Sequence, residues 1–341
     1  MIKILIVIFA IALLLTFLTF KKKLEKVILV FFAIILIIVT STRGPGVDRD
    51  YENYKKIFIE YKTYEVESTF YYISHFITNF LGGEVFYLFF IYALLGIGIK
   101  FFAINRLTKL KTLSVLVYVS YYFILHDFTQ VRAGVASALL LCLLQPIYDR
   151  KWFKFFIIAT IAIFFHYSAL ILLPLWFLNA KTLNKWYYLL IPAAYVCYAL
   201  NVNIVTVIPI EEIRTKIELY QKLQEYDVSG EWDVINVFNL FFIARILIFY
   251  YLFFFYEKLQ KINNLTILLI KIYGISLALF VVLSTMPILA FRVNELMGIV
   301  EIILIPLLIY TMPNRTIGKL VVYVIASAFI FLLLFYNRLI T

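Results

Sequence analysis

A chain of 341 residues that is 64% hydrophobic, only 15% charged and of mean hydropathy +0.97 has too much apolar surface for a water-soluble globule, so it reads as a polytopic membrane protein. Its net charge of +11 fits Lys and Arg gathered in cytoplasmic loops, and no basic soluble face is present for nucleic acid. Cys142 and Cys197 both lie in apolar segments and frame neither a disulfide nor a metal site.

Residues 4–20 are apolar and end at Lys21-Lys22-Lys23, the reverse of a signal peptide's order, which predicts an uncleaved first span with its N-terminus outside. On the scale of about 20 apolar residues per crossing, spans fall near 2–20, 27–41, 85–104, 112–126, 131–148, 155–179, 186–201, 237–256, 265–285, 294–311 and 320–337. Basic stretches mark the cytoplasmic side: 21–26, 100–111, 150–154, 181–185, 258–261 and 315–319. Read as one crossing, 155–179 would put Lys181 and Lys185 outside. Broken near His166 into two short halves, it keeps every basic loop cytoplasmic and gives 11–12 spans in all. Such breaks occur in membranes only where they are buried or line a polar cavity. The loops 42–70 and 202–236, both rich in Tyr and mixed charge, then face outside, with an interfacial helix over 68–80. There is no repeat and no linker, so 1–341 reads as a single integral membrane domain. The 19% aromatic content suits interfacial belts and a groove for a large amphiphile.

Ionisable residues at membrane depth are expensive and mark function by default. His126, Asp127, Gln130 and Arg132 open an apolar helix, and His166 returns to the same side inside another apolar run. Arg132 suits an anion clamp, because a guanidinium matches phosphate oxygens in a bidentate way; the plainer alternative is a buried pair with Asp127 that fixes helix packing. His166 suits general-base work or phosphate contact, against the plainer reading of a satisfied core histidine. Arg292 and Glu295 sit at the outer mouth of a later span, spaced for a helical ion pair or for a cavity-facing Arg. Arg132, Arg292, Arg43 and Arg214 make a set of outward arginines suited to a pyrophosphate, or to plain snorkelling at span ends. Asp48-Arg49-Asp50 is a D-x-D whose carboxylates could hold Mg²⁺, a short pattern that recurs by chance. Tyr51 and Tyr54 beside it suit stacking on sugar rings or anchoring of the loop. A phosphate loop, a nucleophile elbow and a zinc motif are all missing, which argues against ATP-driven transport and zinc proteolysis.

Four blocks together resemble the EpsG-like branch of the Wzy repeat-unit polymerases of bacterial surface polysaccharide synthesis. They are Arg43-Gly44 with Asp50-Tyr51-Glu52-Asn53-Tyr54; Gln130-Val131-Arg132-Ala133-Gly134-Val135-Ala136; Phe165-His166-Tyr167-Ser168-Ala169; and Arg292 to Glu295 followed by Pro306. Asp48 and Asp50 compete for the family's single Asp, and the Tyr that follows aligns Asp50. The resemblance implies an all-α, GT-C-like polytopic transmembrane helical bundle in the bacterial inner (plasma) membrane, with its site at the periplasmic or outer face. The implied enzyme needs no metal and no cofactor. It moves a growing glycan from an undecaprenyl-pyrophosphate carrier onto an incoming lipid-linked repeat unit of O-antigen or capsule, with a chain-length regulator and a flippase as candidate partners. His166 is then the first choice for the base, with Asp50 competing. Arg132, Arg292, Arg43 and Gln130 would hold the pyrophosphate, and Tyr51, Tyr54, His126, Asp127, Glu295 and Arg214 would line the sugars. The alternatives are a metal-dependent GT-C transferase that uses Asp48 and Asp50 on a polyprenyl-phosphate sugar, a lipid-linked glycan flippase, and an acyltransferase.

Overall fold

Within lipid a backbone must satisfy its own N–H and C=O groups, so the long apolar runs wind into helices. The computed structural model describes residues 1–201 and 235–340. Its contacts divide the chain into two compact units, Met1–Trp176 with Ile299–Thr341, and Phe177–Gly298.

In the first unit α1 (Ile2–Leu15) and α2 (Lys22–Ser41) precede two short helices, α3 (Tyr51–Ile59) and α4 (Ser68–Phe80). Then come α5 (Val85–Leu107), α6 (Lys111–Val117), a π-wound stretch Tyr118–Thr129, α7 (Val131–Tyr148) and α8 (Trp152–Phe165). A 3₁₀ segment, Tyr167–Phe177, follows. The second unit holds α9 (Leu190–Ala199), α10 (Leu240–Phe254), α11 (Tyr256–Gln260), α12 (Thr266–Val282) and α13 (Pro287–Gly298). The chain returns to the first unit through α14 (Glu301–Leu304), a 3₁₀ segment Ile305–Tyr310 and α15 (Arg315–Phe331).

Five stretches among the described residues are long and apolar enough to cross a membrane: Lys22–Ser41, Val85–Leu107, Val131–Tyr148, Pro287–Tyr310 and Arg315–Tyr336. The protein is therefore a multi-pass, all-α membrane protein. A helix forms over 68–80, as expected: it is α4. The expected break is at His166, whose backbone is extended (φ −158°, ψ 120°) between α8 and the 3₁₀ segment.

α7 is apolar around its whole circumference, as suits a helix enclosed on all sides, and it packs against α5 and α8. Small residues let these backbones approach closely. A Cβ on Gly96 of α5 would lie 2.2 Å from Asp127 Oδ1, and one on Gly134 of α7 would lie 2.9 Å from the His126 carbonyl oxygen. Into this tight crossing the fold sets a buried ion pair. Lys100 Nζ donates to both carboxylate oxygens of Asp127 and to the Gly134 carbonyl, each at 2.8 Å, while the Tyr118 hydroxyl donates to Asp127 at 2.7 Å. All three ammonium protons are thus satisfied, as burial requires.

This corrects two sequence expectations. Lys100 is not the start of a cytoplasmic loop but a fully buried residue inside α5. Asp127 neither pairs with Arg132 nor faces a ligand, because Lys100 and Tyr118 enclose its carboxylate.

The loop after α2 is fastened at both ends. Arg43 is buried, with its Nε 2.9 Å from Asp48 and its guanidinium 3.9 Å from the Phe89 ring centre. Further along, Arg49 donates to the Asn337 carbonyl at 2.7 Å and Asp48 forms an antiparallel bridge with Ile340. In the second unit Asn294 is the polar hub. It accepts from Arg245 Nη1 at 2.7 Å and donates to the Ser276 carbonyl at 3.1 Å, which ties α10, α12 and α13 together.

Candidate active site

Glu67 sits just before α4 and accepts from two partners drawn from distant parts of the sequence. The His166 Nδ1–H donates to Glu67 Oε1 at 3.0 Å, and Arg132 Nη1 donates to Glu67 Oε2. Arg132 is there because α7 begins immediately after the chain turns at Gln130, where the π-wound stretch ends. His166 is there because α8 stops at Phe165, and Thr69 Oγ1 donates to the Phe164 carbonyl at 2.6 Å to tie the start of α4 to that stop.

The cluster is enclosed but not sealed. The side chains of Glu67, His166 and Arg132 are 5%, 11% and 19% exposed. The Arg132 guanidinium lies 5.4 Å from the ring centres of both Tyr54 and Phe70, which steer its plane. Its Nε is buried without an acceptor among the described residues.

Burial pushes the Glu67 carboxyl up, but the His166 hydrogen bond and the Arg132 charge outweigh it and hold the group down at about 2. At neutral pH Glu67 is therefore a carboxylate and can only accept. The proton on the shared hydrogen bond then belongs to His166 Nδ1, which leaves the further acid–base chemistry of the ring to Nε2. A carboxylate that fixes a histidine tautomer next to a guanidinium is an arrangement able to take a proton and stabilise a phosphate in one place.

Of the residues singled out from sequence, His166, Arg132 and Tyr54 are brought together. Tyr51 is buried nearby and stacks on Phe89 at 5.1 Å. Asp50 is half-buried at the start of α3, its backbone N–H donating to Asp48 Oδ1 at 2.9 Å. Gln130 is half-buried at the turn before α7. Three expected ligand contacts are instead bound up in the scaffold. Arg43 is held by Asp48 and Phe89, and Asp127 by Lys100. His126 is fully buried, its Nδ1 3.0 Å from Ser137 Oγ. The Arg43 pair also takes one of the two carboxylates of the D-x-D. Arg292 (exposed) and Glu295 (half-buried) lie on α13, in the second unit. Arg214 and most of the 202–236 loop fall outside the described residues.

Sequence reasoning missed Glu67. Four glutamates, 52, 60, 65 and 67, share the 42–70 segment, and nothing local distinguishes the one that is drawn inward. Lys100 did carry a signal, a lone cation within the apolar run 85–104, which is the pattern that marks a buried, paired charge.

The sequence model of the EpsG family matches residues 26–340 of the chain. No curated protein and no solved structure matches it.

Proposed function

The chain belongs to the EpsG family, and from that premise we propose that it is a polymerase of lipid-linked oligosaccharide repeat units, acting without a metal at the outer face of the bacterial plasma membrane. The observation that carries this reading is the Glu67–His166–Arg132 cluster, which supplies a base and a phosphate-matching cation side by side.

In the proposed step a hydroxyl oxygen of the incoming repeat unit attacks the anomeric carbon of the growing glycan. The bond from that carbon to the pyrophosphate oxygen breaks, and undecaprenyl pyrophosphate leaves with the bonding electron pair. The hydroxyl proton passes to His166 Nε2, whose basicity Glu67 secures by accepting from Nδ1. Arg132 stabilises the negative charge that grows on the leaving group, acting through the donors not engaged with Glu67. Tyr54 and Phe70 flank the guanidinium; Tyr51, at the start of α3, is a proposed contact for the acceptor sugar, and Asp50 remains the competing base. Arg292 is a second candidate phosphate contact, proposed from its sequence block alone.

The test is deletion in the native host with complementation, read as the size distribution of surface polysaccharide. Wild type should restore the ladder. His166→Ala and Arg132→Ala, expressed at wild-type level, should leave only the single-unit species. Loss of that species as well would point to an earlier step such as flipping, and a normal ladder with either variant would remove the residue from the mechanism.

A further inference from the structure

A second feature of the first unit lies at the far end of α7. Arg132 stands at the start of this 18-residue helix, so the opposite end is about 27 Å away. There α5, α7 and α8 leave a groove of about 620 Å³ between them. Its wall is apolar, with Leu95 and Gly98 from α5, Leu139 from α7 and Ile158 from α8. Its mouth is basic, with Arg106, Lys151 and Lys154 against a single carboxylate, Asp149.

That carboxylate is already engaged: Lys151 lies 3.2 Å from it and Gln145 donates to it at 3.0 Å. Arg106 and Lys154 are both exposed, and neither has a carboxylate partner among the described residues. Trp152 and Phe153, each 62% exposed, flank the mouth as an interfacial belt would. The mouth therefore lies at headgroup level. From Arg106 to Leu94 the groove follows α5 for roughly 18 Å, close to the depth of one leaflet, about 15 Å.

We propose that this groove is a binding site for an anionic phospholipid, with one acyl chain along α5 and the headgroup phosphate between Arg106 and Lys154. The match to a single leaflet favours a bilayer phospholipid over a long polyprenyl chain, and two uncompensated cations favour an anionic headgroup over a zwitterionic one. The site is separate from the Glu67 cluster and stands whether or not the polymerase reading does.

Two positions make it testable. Cys142 lines the groove and, with Cys197 replaced by Ser, becomes a unique reporter. A Cβ on Gly98 meets nothing within 4 Å, so a larger side chain there fills the groove without pressing on the backbone. The experiment uses the delipidated, detergent-purified full chain and follows both the rate of Cys142 alkylation by maleimide and the thermal midpoint. Phosphatidylglycerol should slow alkylation and raise the midpoint at concentrations where phosphatidylcholine does neither. The Arg106→Gln/Lys154→Gln pair should weaken phosphatidylglycerol roughly tenfold or more and erase that preference. Gly98→Trp should fold with a normal lipid-free midpoint yet gain nothing from phosphatidylglycerol, while Gly98→Ala should respond as wild type does. The proposal is overturned by equal protection from phosphatidylcholine, by a preference that survives the double variant, or by a polyprenyl phosphate that protects at far lower concentration than phosphatidylglycerol.

Discussion

Replacing Glu67 with Gln keeps the side chain's length but gives it one acceptor oxygen where the carboxylate has two. Of its two donors, Arg132 Nη1 and His166 Nδ1, one must then face the amide NH₂. A charge-assisted hydrogen bond contributes about 1.5–3 kcal/mol. The three side chains are only 5–19% exposed, so solvent recovers part of that and we expect a stability loss of about 2 kcal/mol. Most of the protein stays folded after such a loss. The catalytic loss should be larger, because the His166 proton is no longer pinned to Nδ1 and general-base catalysis contributes about 10²–10⁴-fold. The assay is polymerisation of a lipid-linked repeat unit by purified protein, normalised to the folded fraction, and we expect a fall of about 100-fold. Stability should also show a pH signature. Glu67 titrates near 2 in the folded chain against an ordinary value of 4.5, so its contribution is complete above pH 4.5 and is lost as pH falls toward 2. The gap in thermal midpoint between wild type and Glu67→Gln should accordingly narrow as pH falls from 4.5 toward 2. A Glu67→Gln enzyme with wild-type turnover, or a gap that persists at the acid end, would refute the reasoning.

Three further outcomes are expected. Lys100→Met strands a buried Asp127 and should cost about 3–5 kcal/mol, whereas Lys100→Met/Asp127→Asn should regain most of it; thermal unfolding in detergent that shows simple additivity would deny the pairing. Gly96→Ala puts a Cβ 2.2 Å from Asp127 Oδ1 and should destabilise by about 1–3 kcal/mol, measurable in the same unfolding experiment. Arg132→Ala should reduce polymer synthesis by about 10²–10³-fold, with Arg132→Lys only partly restoring it because an ammonium cannot bind phosphate as a planar fork; full activity in the Lys variant would show that charge alone is enough.

How far the sequence could be read depended on whether a signal was local. The His166 break was legible because charge on either side of a span must obey one topology, and Lys181 and Lys185 constrained it. Arg132 and His166 stood out as ionisable groups in apolar runs. Partner choice was not legible, because it is decided by which helices approach closely. Asp127 lies near Arg132 in sequence, yet Gly96 and Gly134 bring α5 near enough for Lys100 to take it. With Asp127 occupied, Arg132 turns to Glu67, a residue 65 positions away. The contacts of Arg43 escape the sequence for the same reason: its place at the end of α2 says nothing of the Asp48 and Phe89 that fold back over it.

The clasp of Asp48 and Arg49 on Ile340 and Asn337 makes the C-terminal tail a surrogate for the Glu67 cluster. The loop it fastens leads through Tyr51 and Tyr54 to Glu67, so the tail and the cluster share one compartment. A reporter enzyme or an epitope fused to the tail would reveal which aqueous space the cluster faces without altering a residue of it. The same clasp warns that a bulky or rigid tag joined without a spacer would pull on the loop that carries Arg43. Loss of activity in such a fusion would then be a mechanical artefact of the handle rather than a statement about chemistry.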